Sequence, residues 1–307
     1  MSKWLFSPLR ISICLLWASV GSALFSQHSE FAIIGDGGAI TQASAMVRQS
    51  IHRANVQQLI LPGDNLYDHK KTTYEKVWEP WTSLGMRFSM VAIGNHRDNY
   101  TKEMKFFSMP EEFYTYKIGT ARFIVLNSDN EDRAMEQAEF LDKKLQETRS
   151  SYVFLIYHHP SYTVSTFHEW TEKKKFQLAI RPIIWKYRHK ITAILVGHDH
   201  LASLIHFNDL PVILSGAVQE VRTDKMVAYT DTIDSHNGVV VQSSWYFDHE
   251  PYWAKLSVPD ENARKDSPAF VQFIRAQDSY IACTAQLRTG QAAQLGPNCA
   301  TRPPSLQ

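Results

Sequence analysis

The chain has 307 residues, 44% hydrophobic and 21% charged, with 32 Lys and Arg balanced by 31 Asp and Glu for a formal net charge of +1. Length and apolar content allow a sizeable core, at the upper end of what one domain holds. So even a charge balance excludes both the basic footprint of a stable nucleic-acid partner and the acidic character of a disordered chain.

The first segment is an address. Lys3 and Arg10 precede an apolar stretch over residues 11–20, and Gly21-Ser22-Ala23 offers small residues for cleavage. The run is too short and too interrupted to span a bilayer. Residues 1–23 are therefore predicted to be an export signal, with an uncleaved anchor as the alternative, and 24–307 a single domain. The compartment expected is secreted or otherwise extracytoplasmic (periplasm or endomembrane lumen), with no stable membrane insertion once the signal is cleaved. Cys14 is not a lipid-attachment site, because the bulky Ile13 precedes it and the apolar run follows it. Cys283 and Cys299 remain, an even count that exported chains tend to pair. A disulfide would close the C-terminal tail against the last strand; two separate thiols are the alternative.

Residues 31–35, 57–62 and 86–93 are apolar, strand-like runs. Between them, 41–56 (with Ala45, Val47, Ile51 and Ala54) and 74–84 have helical patterning. This alternation predicts buried strands flanked by helices. Residues 113–118 and 121–126 flank Gly119-Thr120 as a hairpin. A charged helix over 130–149, a strand over 152–157, a helix over 171–189 and a strand over 191–196 follow. After Gly216 the alternation stops, and 239–245, 269–274 and 280–287 are strand-like. The sum is an α/β fold: a four-layer αββα sandwich of two mixed sheets flanked by helices. The aromatic span 221–268, with Trp245, Tyr246, Phe247, His249, Tyr252 and Trp253, is expected as an insertion near the site, either a lid or a β excursion whose aromatics are core.

Five polar clusters end these apolar runs: Gly35-Asp36-Gly37-Gly38, Gly63-Asp64-Asn65-Leu66-Tyr67, Gly94-Asn95-His96, His158-His159-Pro160 and Gly197-His198-Asp199-His200. Together they carry Asp36, Asp64, Tyr67, Asn95, His158, His198 and His200 to one sheet edge, a surplus for one ion and enough for two. Carboxylates on neighbouring strand ends repel unless a cation separates them. The phenol of Tyr67 is a hard oxygen donor suited to trivalent iron. His159 should point away from His158 if extended geometry continues, whereas His198 and His200, two residues apart, should face the same way and hold different ions.

In order and spacing, the clusters resemble those of the calcineurin-like metallophosphoesterases, and within them the small, tartrate-resistant type of purple acid phosphatase. The likeness covers residues 31–217. It departs at Arg97, where an acid is usual, and at Leu155, where valine is usual. The resemblance implies the metallo-dependent phosphatase fold. It also implies an Fe(III) held by Asp36, Tyr67, His200 and a bridging Asp64, with a second ion, Fe(II), Zn or Mn, held by Asp64, Asn95, His158 and His198. The activity implied is hydrolysis of a small phosphate monoester by a hydroxide that the metal pair activates, in the manner of an acid phosphatase. His96 and His168 are the candidates to assist the leaving group. The alternatives are a phosphodiesterase or nucleotide hydrolase on the same scaffold, or a binding protein that keeps the fold without turnover.

Overall fold

A computed structural model describes residues 28–161, 172–216, 218, 232–234, 239–247, 250–264 and 266–299. The predicted export signal and His168 lie outside these residues.

Layering starts with the two-residue period of the first strand, β1 (His28–Ile33). Phe31 and Ile33 enter one apolar cluster, and Ala32 with the following Ile34 enters another. A strand apolar on both sides must be covered on both. One cover is helical. It consists of α1 (Gln42–Arg53), α2 (Tyr74–Thr82) and α3 (Tyr100–Phe107), which follow β1, β2 (Gln58–Leu61) and β3 (Arg87–Val91). Each helix begins on a side chain that accepts from its first turn: Thr41 from the Ser44 N–H, Thr73 from that of Lys76 and Asn99 from that of Lys102. Val47, Ile51, Trp78, Trp81 and Phe107 then cover Leu59 and Leu61.

The middle of the chain builds the second sheet. A hairpin of β4 (Tyr114–Ile118) and β5 (Ala121–Val125) leads to α4 (Ala134–Glu147), β6 (Tyr152–Ile156), α5 (Lys174–Tyr187) and β7 (Ala193–Val196). Then come β8 (Ala202–Phe207), β9 (Leu210–Ser215), β10 (Thr232–Asp234) and β11 (Val239–Phe247). The chain returns to the first sheet through β12 (Tyr252–Pro259), β13 (Ala269–Arg275), β14 (Ile281–Leu287) and β15 (Gln294–Leu295). The two sheets have the orders β15-β14-β13-β12-β1-β2-β3 and β10-β11-β8-β9-β7-β6-β5-β4. Both are mixed: β1-β2-β3 and β5-β6-β7-β9 are parallel, and the remaining pairings are antiparallel. Phe31, Phe123, Phe154, Leu195, Leu256 and Phe273 fill the space between the sheets, and Leu141, Leu145, Phe176 and Ile180 seal the outer face of the second. This is the αββα sandwich expected.

Parallel strands bring their carboxyl ends to one edge, where ligands of α/β sheets bind. The five clusters follow β1, β2, β3, β6 and β7 directly. The sheets are joined at that edge: the Gly35 N–H donates to Ser215 O at 2.6 Å and the Ser215 hydroxyl to Ile33 O at 2.8 Å.

The elements not anticipated from the sequence are α3, the two strands of the β8–β9 hairpin, β10, β12 and β15. The hairpin turns at Asn208-Asp209, with Asn208 at φ 48°, a turn conformation in which asparagine is common. Strand β12 lies within the span expected as an insertion. It pairs with β1 on one side and β13 on the other, and Tyr252 and Trp253 are fully buried. Residues 221–231, 235–238, 248–249 and 265 of that span lie outside the described residues. Cys283 and Cys299 form a disulfide. Among the described residues no helix is long and apolar enough to cross a membrane.

The indole of Trp253 packs under α1 and donates to the Ser50 hydroxyl at 3.0 Å. Trp253→Ala is expected to lower the free energy of unfolding by about 3–5 kcal/mol in urea denaturation. A loss below about 1 kcal/mol would instead describe a residue on a surface flap.

Candidate metal centre

The loops that carry the donors are tied to one another by backbone bonds. The Asp36 N–H donates to Gly63 O at 3.1 Å, Gly38 N–H to Asp64 O at 2.9 Å, Tyr67 N–H to Gly38 O at 3.0 Å and Gly197 N–H to His158 O at 3.2 Å. Asp36 (φ 59°), Asp64 (55°), His198 (78°) and His200 (49°) all adopt left-handed backbone. For side chains other than glycine this costs on the order of 1–3 kcal/mol each and is held only where the surroundings enforce it. Space is equally tight: a methyl group at Gly94 would collide with the backbone nitrogen and Oδ1 of Asp64.

All seven predicted donors converge. On one side, Tyr67 Oη lies 3.0 Å from Asp36 Oδ1 and 2.9 Å from His200 Nε2, and His200 Nε2 is 3.6 Å from Asp36 Oδ1. On the other, His158 Nε2 lies 3.1 Å from Asn95 Oδ1, 3.2 Å from Asp64 Oδ1 and 3.2 Å from His198 Nδ1. Asp64 stands between, meeting His158 on one flank and the Tyr67 hydroxyl on the other. Its Oδ1 accepts the His96 N–H at 2.8 Å, and Asp36 Oδ2 accepts the His198 N–H at 2.8 Å. The His96 ring is exposed and stacks on Tyr67 with centroids 4.5 Å apart.

The tautomers show what the second cluster lacks. His158 Nδ1–H donates to Pro62 O at 2.9 Å and His198 Nε2–H to Glu172 Oε2 at 2.8 Å. Their inward nitrogens, Nε2 and Nδ1, therefore face each other and two oxygens as four lone pairs. Such atoms attract only through a shared proton or a cation. Donors bonded at about 2.1 Å to one ion would stand about 3.0–3.4 Å apart, which is the spacing found here. The residues fit a pair of metal ions.

Buried charge tells the same story. Burial drives the Asp36 carboxyl up to about 7, aided by the Asp64 charge and only partly offset by His158. Burial also acts on Asp64, but there the His158 charge and the hydrogen bonds from His158 and the His96 N–H outweigh it and hold the carboxyl far below its ordinary range. His158, which burial alone would depress, rises to about 9 beside Asp64 and Asp36. Burial and then the two carboxylates keep the Tyr67 phenol protonated.

His159 departs from the sequence expectation. The chain leaves strand geometry after Ile156, so alternation does not persist, and a nitrogen of His159 lies within 4.8 Å of those of His158 and His198. His198 lies beside His158 and His200 beside Tyr67, each reached through a left-handed turn instead of extended chain. Glu172, Glu103 and the partners of Arg97 were missed. Glu172 sits just before α5 without any motif, and only the tertiary fold brings it to His198. Glu103, buried on α3, accepts from Asn65 Nδ2 at 2.7 Å and so steadies the loop carrying Asp64; the Asn99 cap was its sequence signal. Arg97 pairs with Asp129 and donates to the carbonyls of Gly94 and Asn95 at 3.1 and 3.4 Å. It thus holds the backbone that presents Asn95.

The model of the calcineurin-like phosphoesterase family matches residues 29–202, which include every predicted donor. No curated protein matches the chain. Among solved structures, GAP50, described as the anchor in the inner membrane complex of Plasmodium, is similar with a TM-score of 0.66 at 15% identity, covering 86% of this chain and 90% of that one. A purple acid phosphatase from yellow lupin (Lupinus luteus) seeds gives 0.62 at 16% identity, covering 84% of this chain and 53% of its own. A dimetal phosphatase from Danio rerio gives 0.52 at 10%, covering 87% and 98%. At these identities the likeness is one of fold.

Two outcomes are expected. In ion-free protein, Asp36 keeps a proton between its ordinary 3.8 and about 7 that the unfolded chain releases. Its contribution to stability is whole below 3.8 and lost as pH rises through about 7. That of His158 is whole below 6.5 and lost as pH rises through about 9. The melting temperature of stripped protein should therefore fall from about pH 5 to about pH 9, and added metal should raise it most at the alkaline end, where ligands are deprotonated. A melting temperature that climbs over that range refutes the assignment. Separately, Glu172→Ala should weaken metal binding at the His198 side about 10–100-fold in calorimetric titration, with Glu172→Gln retaining more of it.

Proposed function

This chain belongs to the calcineurin-like phosphoesterase family, and from that premise we propose that it hydrolyses small phosphate monoesters with a dinuclear metal centre, as acid phosphatases do. The observation that carries the reading is the cluster of four lone-pair atoms around His158 Nε2, next to a second cluster on Tyr67 and joined to it by Asp64.

Bound there, two ions supply Lewis acidity to the phosphate oxygens and lower the pKa of water. Asp36, Tyr67 and His200 would hold one ion and Asn95, His158 and His198 the other, with Asp64 shared. The phenolate oxygen of Tyr67 suits Fe(III), and the nitrogen-rich side suits Fe(II), Zn or Mn. The protein contributes preorganisation. Pro62, Glu172 and the His96 and His198 amides fix the direction of each donor, so little reorganisation accompanies charge development on phosphorus.

His96 is the leaving-group acid. Its ring lies at the mouth, stacked on Tyr67, while its own N–H is spent on Asp64, so the imidazole is held over the centre by two contacts. An imidazole so placed can donate a proton to the departing oxygen. His168 is the second candidate for this role. The exported, extracytoplasmic location expected from residues 1–23 accords with the Cys283–Cys299 disulfide.

The test combines metal content, a visible spectrum and rates on a matched phosphate monoester and diester. Expected are two ions per chain, a visible charge-transfer band abolished by Tyr67→Phe and a faster rate on the monoester. Asp64→Ala should lose both ions and at least about 100-fold in rate. A faster rate on the diester assigns the scaffold to phosphodiesterase chemistry, and full activity in Asp64→Ala excludes its bridging role.

A further inference from the structure

We propose that Asp129 is a positioning residue for the ion held by Asn95, His158 and His198: its carboxylate bridges Arg97 and Lys173 and so joins the loop that carries Asn95 to the turn that orients His198. The inference rests on the dinuclear reading above and deepens it. Asp129 belongs to none of the strand-end clusters and is not one of the seven donors.

Its place follows from the sheet. Strand β5 runs parallel to β6 and ends at the edge that carries the centre, yet the turn after it holds none of the donors. That turn is tied down on both sides. Gln137 on α4 accepts the Asn127 N–H at 2.8 Å and donates to Asn127 O at 2.9 Å. Asn127 Nδ2 donates to Glu112 Oε2 at 2.9 Å, and Asn127 Oδ1 accepts the Asp129 N–H at 3.1 Å. From this anchor, contacts reach the supports of all three donors. Asp129 Oδ2 pairs with Arg97, whose guanidinium donates to the Gly94 and Asn95 carbonyls at 3.1 and 3.4 Å. Asp129 Oδ1 pairs with Lys173 at 2.7 Å, and Lys173 directly follows Glu172, which accepts from His198 Nε2 at 2.8 Å. The neighbouring Ser128 Oγ accepts the N–H of His159, the residue after His158, at 3.0 Å.

One carboxylate shared by two cations does more than two separate ion pairs. The Asp129 side chain is 4% exposed and those of Arg97 and Lys173 are 23% and 25%, so both pairs are largely shielded from screening. Without the carboxylate, Arg97 and Lys173 are like charges on separate loops and repel. Lys173 also has left-handed backbone at φ 58°, which a lysine holds only where its surroundings enforce it. The pair with Asp129 supplies that constraint and fixes the turn from which Glu172 reaches His198.

The experiment titrates ion-stripped, full-length wild type, Asp129→Ala and Lys173→Met with Zn2+ by calorimetry, and with Co2+ by visible absorption. Wild type is expected to bind two Zn2+. Asp129→Ala is expected to keep the affinity of one and bind the other at least about tenfold more weakly, with a shifted Co2+ band. Unchanged affinities and an unchanged band overturn the proposal and leave the dinuclear reading standing. Equal weakening of both ions describes a general loss of negative charge and also overturns it. A wild type that takes up fewer than two ions overturns both readings. Because Asp129 is buried and its removal can disturb folding, Lys173→Met, at a partly exposed side chain, releases one arm alone. It should weaken the same ion, and an unchanged affinity there refutes the bridge. Added to Asp129→Ala, it should weaken that ion no further, because the arm is already cut; additive losses show that the two residues act independently and refute the bridge as well.

Discussion

Four lone-pair atoms crowd one point: Asp64 Oδ1, Asn95 Oδ1, His158 Nε2 and His198 Nδ1, separated by 3.1–3.2 Å around the His158 nitrogen. With His158 neutral, each member accepts and none holds a proton for the others, so the cluster is not stable by itself. A proton on His158 relieves part of the repulsion, which is why that ring rises to about 9. It supplies one positive charge to a site built for more. The surrounding structure holds these atoms together against their own repulsion.

The scaffold does this through backbone geometry. Four donors, Asp36, Asp64, His198 and His200, lie in left-handed turns directly after parallel strands. A strand end fixed by sheet hydrogen bonds and a core on both faces can enforce a turn that an isolated loop would relax. The bonds from Gly35 and Ser215 across the two sheets lock the edges on which those turns stand. Strain at the rim is thereby supported by the apolar packing beneath it, and fold and site are not separable contributions.

What could be read from the sequence follows from the range over which each signal acts. The β-α-β alternation and the strand-end clusters are local patterns, and Asp36, Asp64, Tyr67, Asn95, His158, His198 and His200 all reach the edge where those patterns placed them. Strand β12 was hidden because its aromatics, Tyr252 and Trp253, match a lid and a buried strand equally well, and only pairing with β1 separates the two. Helix α3 is eight residues long, too short for periodicity to stand out. Glu172, Glu103 and Asp129 act through contacts with residues 26, 38 and 32 positions away along the chain, a separation at which no motif operates. His159 was misplaced because strand alternation was carried past the point where the strand ends.

Equal burial acting on Asp36 and Asp64 yields opposite results, and the difference lies entirely in their neighbours. At Asp64 the His158 charge, a direct hydrogen bond from His158 and the His96 N–H outweigh burial, so it is ionised; at Asp36 the His158 charge, the His198 N–H and the Tyr67 hydroxyl do not offset burial and the Asp64 charge, so it retains its proton toward neutral pH. The centre is therefore asymmetric before any ion arrives. One half presents an ionised bridge and imidazoles, of which His158 must give up its proton on loading. The other presents Asp36 and Tyr67, which give up their protons on loading. Arg97, paired with Asp129 and bonded to the Gly94 and Asn95 carbonyls, keeps its charge off the donors while fixing the loop between the halves. The two halves thus differ both in donor chemistry, oxygen-rich around Asp36 and Tyr67 and nitrogen-rich around His158 and His198, and in where their protons lie before an ion arrives.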